Sequence, residues 1–88
     1  MSYNIEIYIR KGCPYCDKAK SFLKSKSLNF KEIFVGRDSS DATYLEMRTR
    51  SGGCVTVPQI FINGKHIGGS DDLLKFNDDQ EALNLVLK

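Results

Sequence analysis

The sequence lacks the features that would place it in several large classes. No apolar run approaches the roughly 20 residues that a membrane-spanning helix needs. The opening "MSYNIEIYIR" has no basic stretch followed by an apolar one, the signature of a secretory leader. These absences predict a cytoplasmic protein in a reducing compartment, with no membrane partner. The two signs of charge nearly balance: the net charge is +2, which gives no general affinity for nucleic acid or anionic lipid. No repeat, low-complexity tract or linker divides the chain, so residues 1–88 are read as one domain. The three cysteines are an odd number, whereas a small secreted disulfide scaffold normally carries an even one. In a reducing compartment a disulfide is usually transient and catalytic. There is no second C-x-x-C, and Gly52-Gly53 is not followed by the Gly-Lys-Ser/Thr of a phosphate loop.

What is present is the patterning of an ordinary globular α/β chain, 41% hydrophobic and 27% charged. "NIEIYI" alternates apolar and polar residues and predicts a half-buried strand. Pro14 to about Lys26 predicts a helix with Cys16, Ala19, Phe22 and Leu23 on one face. "NFKEIFV" predicts a second strand. Asp41 to Arg50 suits a second helix, with Leu45 and Met47 inward and Gly52-Gly53 ending it. In "VPQIFINGKHIGG", Asn63-Gly64 fits a type I′ hairpin, whose two central residues both need positive φ. "SDDLLKF" predicts a helix with Ser70 as N-cap and two acids in its first turn. A last helix, roughly Asp79 to Leu87, would turn Ala82, Leu83, Val86 and Leu87 inward. The order β-α-β-α-β-β-α implies a parallel first pair with a right-handed crossover, then an antiparallel hairpin. A four-stranded mixed sheet flanked by helices follows, with its strand order left open.

The chemistry concentrates in "RKGCPYCDKAK". Proline suits the first position of a helix, where its missing N–H costs nothing. With Pro14 there, Cys13 is the N-cap and Cys16 the third helical residue. The N–H groups of Tyr15 and Cys16 then face the Cys13 sulfur, at the positive end of the helix dipole. Arg10 and Lys11 add charge nearby. All of this favours an ionised Cys13, while Cys16, one turn inside, lacks those donors and becomes the resolving thiol. A low-pKa thiol also departs faster as a leaving group, which suits a sulfur that must capture a disulfide and release it. A C-x-x-C is equally half of many zinc sites, and Cys54 with His66 would complete a Cys₃His set. Against that reading, the pair opens a helix behind a strand, and His66 falls in a predicted strand.

"CPYC" after a first strand, "TVPQIFI" in the second half and "GGSDDL" after the hairpin together resemble a small dithiol glutaredoxin, over nearly the whole chain. The resemblance implies the thioredoxin fold. It also implies a glutathione-dependent thiol–disulfide oxidoreductase acting on glutathione mixed disulfides and protein disulfides through Cys13 and Cys16. Glutathione is then reductant and co-substrate, and no tightly bound cofactor or metal is expected. Carried over residue by residue, Cys13 is the nucleophile and Thr56-Val57-Pro58 the loop in which the proline is cis. Val57 there offers its N–H and C=O to the cysteinyl backbone of glutathione. Gly69, Ser70 and Asp71 meet the α-carboxylate and α-amine of the γ-glutamyl end. Arg10 stands where the family has a lysine for the glycyl carboxylate, with Lys11 as alternative, and Tyr15 lines the cleft. The implied partners are glutathione, glutathionylated proteins, ribonucleotide reductase as a candidate client, and glutathione reductase indirectly. A monomer is expected.

Two other readings share these residues. One is a thioredoxin-like hydrogen donor served by thioredoxin reductase, against which "GGSDD" argues. The other is an iron–sulfur carrier bridging a cluster through Cys13 and glutathione, which Pro14 disfavours. Cys54 is read as a bystander and His66 as a strand residue without a role in catalysis. Lys18, Lys20, Lys24 and Lys26 form a solvated helix face lacking the interleaved aromatics that stack on nucleic acid.

Overall fold

A computed structural model describes residues 4–36, 38, 40–77, 81 and 84 of the chain. Its elements run β1 (Ile5–Ile9), α1 (Pro14–Ser25), β2 (Lys31–Phe34), α2 (Ala42–Arg50), β3 (Gln59–Ile62), β4 (Lys65–Gly68) and α3 (Ser70–Leu74), with a 3₁₀ turn over Lys75–Asn77. The sheet order is β2-β1-β3-β4. β1 is parallel to β2, with Tyr8 opposite Ile33, and antiparallel to β3, with Ile7 opposite Ile60. β3 and β4 form the antiparallel hairpin. This is the mixed four-stranded sheet of the thioredoxin fold. The last predicted helix falls, apart from helical Glu81 and Asn84, outside the described residues.

α1 forms where the apolar spacing places it, and Cys16, Ala19, Phe22 and Leu23 are all buried. They pack with Ile5, Ile7, Ile9, Ile60 and Ile62 on one face of the sheet. Burial of a Phe or Leu side chain contributes about 1.5–3 kcal/mol, so Phe22 and Leu23 anchor the helix. At the hairpin, Asn63 and Gly64 have φ of 52° and 82°, as a type I′ turn requires.

Three local expectations are corrected. β1 is covered on both faces, because it lies inside the sheet and α2 covers the face opposite α1; Tyr8 is fully buried with Phe61 and Met47 there. On α2, Met47 is buried but Leu45 is 44% exposed, so only one of the two predicted core contacts reaches the sheet. Arg50 does more to fix that helix. Its guanidinium donates to both carboxylate oxygens of Glu6 at 2.9 and 3.3 Å and to the Tyr8 hydroxyl at 2.8 Å. It also lies 4.1 Å from the Phe61 ring centroid. Finally, Gly69 rather than Ser70 is the N-cap of α3. The Asp72 carboxylate accepts the Gly69 N–H at 3.1 Å, which supplies the cap from the third helical position and draws Ser70 into the helix.

Candidate active site

Cys13 has extended backbone angles and caps α1, with Pro14 as the first helical residue. Its Sγ accepts the N–H of Cys16 at 3.3 Å. The helix begins with the Asp17 N–H donating to the Cys13 carbonyl at 3.2 Å. The expected second donor, Tyr15 N–H, makes no hydrogen bond to the sulfur. One backbone donor, then, and the positive end of a twelve-residue helix face the Cys13 sulfur. Cys16 differs in kind. It is 1% exposed, and burial first, then its hydrogen bond to Cys13, push its thiol up to about 12. At neutral pH Cys16 is a thiol. Both cysteines are free.

Across from Cys13 runs the loop before β3. The Val57–Pro58 peptide is cis, and the Val57 carbonyl lies 3.8 Å from Cys13 Sγ, close enough to accept from the thiol. Beyond it opens a cavity of about 350 Å³ lined by Tyr15, Thr56, Val57, Pro58, Gly69, Ser70, Asp71 and Asp72. Three chain segments build it, Tyr15 of α1, the loop before β3 and the start of α3, and the cap of α3 packs against the loop: a Cβ on Gly69 would stand 3.6 Å from the Pro58 carbonyl. The close approach of α3 also fixes Gly68. Its φ is +122°, and a side chain there would run into the Asp72 carboxylate. The two acids of "GGSDD" thus divide. Asp72 caps Gly69 and pairs with Lys75 at 3.7 Å, while the exposed Asp71 carboxylate engages no group among the described residues.

Seven of the eight ligand-binding residues expected from the sequence therefore line one cavity, with Cys13 at its edge. Arg10 is the exception. Its Nη2 donates to the Gly36 carbonyl at 3.1 Å, and its guanidinium faces the Tyr44 ring at 6.0 Å. It lines a separate cavity of about 380 Å³ with Lys11, Phe34, Val35 and Gly36. Its Nε is buried and has no hydrogen-bond partner among the described residues. A third groove, about 480 Å³ between α1 and α3, has neither cysteine in its lining.

Cys54 is partly exposed and folded back on its own turn, its N–H on Ser51 Oγ at 3.0 Å and its thiol on the Ser51 carbonyl at 3.7 Å. His66 sits in β4, its Nε2 2.7 Å from Gln59 Oε1. Among the described residues no group of three or more His, Cys, Asp or Glu is gathered to hold a metal ion, and no helix is long and apolar enough to cross a membrane. Two residues that shape the site were missed from sequence. Asp72 was legible as the acid three positions after Gly69, and Gln59 as the one polar residue in the apolar run "QIFI".

Comparison with known proteins agrees with this fold. The glutaredoxin family model matches residues 5–67. Glutaredoxin 3 of Escherichia coli K12 is 47% identical over 85 residues, 97% of this chain and 98% of that protein. Hybrid peroxiredoxin hyPrx5 of Haemophilus influenzae is 53% identical over 73 residues, 83% of this chain. The chain spans only 29% of that longer protein. Among solved structures, glutaredoxin from Brucella melitensis superposes with a TM-score of 0.75 at 42% identity, covering 97% of this chain and 88% of that one. The buckwheat glutaredoxin–glutathione complex gives 0.79 at 26% identity, covering 96% and 76%.

Proposed function

Because the chain belongs to the glutaredoxin family of thiol–disulfide oxidoreductases, we propose that it is a single glutaredoxin domain over residues 1–88 that uses glutathione as reductant and co-substrate. The observation that carries this reading is the placement of Cys13 Sγ 3.8 Å from the Val57 carbonyl, at the edge of the cavity between that loop and α3. A glutathionyl group joined to Cys13 would lie against Thr56-Val57-Pro58. Its γ-glutamyl end would reach the free N–H groups at the start of α3, with the Asp71 carboxylate left to meet the ammonium. Tyr15 forms the opposite wall. Arg10, in the separate cavity it lines, is assigned the glycyl carboxylate, with Lys11 as the alternative. The buckwheat relative solved with glutathione supports this choice of ligand.

The chemistry is two exchanges. The Cys13 thiolate attacks the glutathione sulfur of a mixed disulfide, forming a Cys13–glutathione disulfide and releasing the client as a thiolate that takes up a proton. A second glutathione, as thiolate, attacks the bound glutathione sulfur and returns Cys13, leaving oxidised glutathione for an NADPH-dependent reductase. With a protein disulfide, Cys13 attacks one sulfur, and Cys16 then loses its proton and attacks Cys13. The client leaves reduced and the pair is left as a Cys13–Cys16 disulfide. That step must deprotonate a thiol whose burial favours the neutral form. The setting implied is a reducing cytoplasm. Glutathionylated proteins and ribonucleotide reductase are the proposed clients, and the chain is proposed to act as a monomer.

The test is NADPH oxidation with glutathione, glutathione reductase and a glutathionylated peptide, run beside the same peptide with thioredoxin reductase alone. Turnover only in the first supports the proposal. Turnover only in the second would make the protein a thioredoxin-like donor and remove glutathione from the cavity.

A further inference from the structure

β3 begins with a residue that does not belong in an apolar strand. Gln59 is 3% exposed, one of only two buried polar or charged side chains among the described residues. A buried amide left unpaired costs about 1–3 kcal/mol, and here both ends are used. Nε2 donates to the Thr56 carbonyl at 3.0 Å, with Thr56 Oγ1 at 3.5 Å. Oε1 lies 2.7 Å from His66 Nε2. Since Nε2 of Gln59 must be the donor to Thr56, Oε1 is an acceptor, and His66 therefore carries its proton on Nε2. The His66 ring in turn lies against that of Phe61, its partner across the β3–β4 ladder, with centroids 5.0 Å apart and planes tilted by 34°.

From this we propose that Gln59 and His66 are positioning residues that hold the Thr56-Val57 backbone in the orientation needed to bind the glutathionyl substrate. The inference rests on the glutathione reading above. β4 fixes His66, His66 orients the Gln59 amide, and the amide holds the carbonyl immediately before Val57. Neither side chain lines the cavity or contacts Cys13. Without the histidine donor, Oε1 is left buried and unpaired, and the amide must turn to find a partner, releasing Thr56. Without the amide, the Thr56 carbonyl loses its tether directly.

The experiment uses the full chain with a glutathionylated peptide in the coupled assay, comparing wild type with Gln59→Leu, His66→Phe and His66→Asn. Two controls accompany each variant: its melting temperature, and the rate at which iodoacetamide alkylates Cys13, a reaction that needs no bound glutathione. Gln59→Leu and His66→Phe are expected to raise KM about fivefold with kcat within about twofold. Cys13 alkylation stays at the wild-type rate, and His66→Asn, which keeps an N–H donor, recovers most of the loss. KM unchanged in folded His66→Phe would overturn the proposal, as would equal defects in His66→Phe and His66→Asn. Should Gln59→Leu fail to fold, the two histidine variants still decide the matter. Failure of the glutathione reading itself looks different, because the wild type would then not turn over in this assay.

Discussion

Cys13 and Val57, separated by 44 positions in the chain, meet with the sulfur of one 3.8 Å from the carbonyl oxygen of the other. That contact joins the head of α1 to the loop before β3 and sets the edge of the cavity. The sulfur is also held from behind by the Cys16 N–H. The following expectations test the site and the scaffold that supports it.

Cys13→Ser is expected to lower turnover of a glutathionylated peptide by on the order of a thousandfold or more, since Cys16 is buried and no described residue lining the cavity carries a sulfur. Cys16→Ser keeps most of that activity and loses the reduction of a protein disulfide. Steady-state rates with the two substrates separate the one-cysteine and two-cysteine routes.

The Cys16 thiol gives a pH signature. Its value in the fold, about 12, lies above the roughly 8.5 of an unfolded thiol. Between these values the unfolded chain binds fewer protons than the folded one. The stabilisation from keeping Cys16 neutral is thus complete below about pH 8.5 and is lost as pH rises toward 12, by at most about 1.4 kcal/mol per unit. Urea unfolding of the reduced protein at pH 8, 9 and 10, with Cys16→Ala as reference, should show wild type losing more stability per unit than the variant. Equal slopes would contradict the buried-thiol account.

The two acids of α3 should separate binding from stability. Asp71→Asn is expected to raise KM for the glutathionylated peptide about fivefold and leave the melting temperature unchanged. Asp72→Ala removes the cap on Gly69 and costs about 1 kcal/mol. Kinetics and melting curves on both variants read the two effects independently.

On α2, Met47→Ala should cost about 2–4 kcal/mol, because the side chain is fully buried. Leu45→Ser should change stability by no more than about 0.5 kcal/mol, being surface-exposed. Chemical denaturation distinguishes them, and a large loss at Leu45 would mean that the helix is rotated from the position described.

Arg50→Ala removes the forked partner of Glu6 and one of the two hydrogen-bond partners of the Tyr8 hydroxyl, which also donates to Glu46. The pair with Glu6 is partly solvated, with side chains 28% and 17% exposed, so the loss is expected near 2 kcal/mol rather than the larger cost of a fully buried pair. Arg50→Lys should recover less than half, since an ammonium cannot make the forked contact or lie flat on Phe61. Calorimetric melting of the three proteins is the measurement.

Features with a local cause were legible in the sequence. Pro14 after Cys13 fixes the start of α1, because proline is preset for the first helical turn and an N-cap needs no helical φ. The spacing of Cys16, Ala19, Phe22 and Leu23 gives that helix its buried face, and Asn63-Gly64 gives the hairpin its turn. Each depends on residues within one or two turns of chain. Where competing neighbours decide, sequence was not enough. Leu45 and Met47 are both apolar on one short helix, and only the seating of Arg50 on Glu6, Tyr8 and Phe61 settles which faces the sheet. Ser70 looks like the better cap, yet Asp72 reaches back to Gly69. Arg10 carries the expected charge, but its planar fork finds the Gly36 carbonyl across the fold. The tie from His66 through Gln59 to Thr56 depends on strand pairing, and strand pairing is a long-range choice. The reactive pair and the start of the helix that presents it follow from the local order of residues, since both arise within a single turn of backbone. What faces that pair is set by long-range packing, because the loop across from it is brought from more than forty residues away by sheet order and the cap of α3.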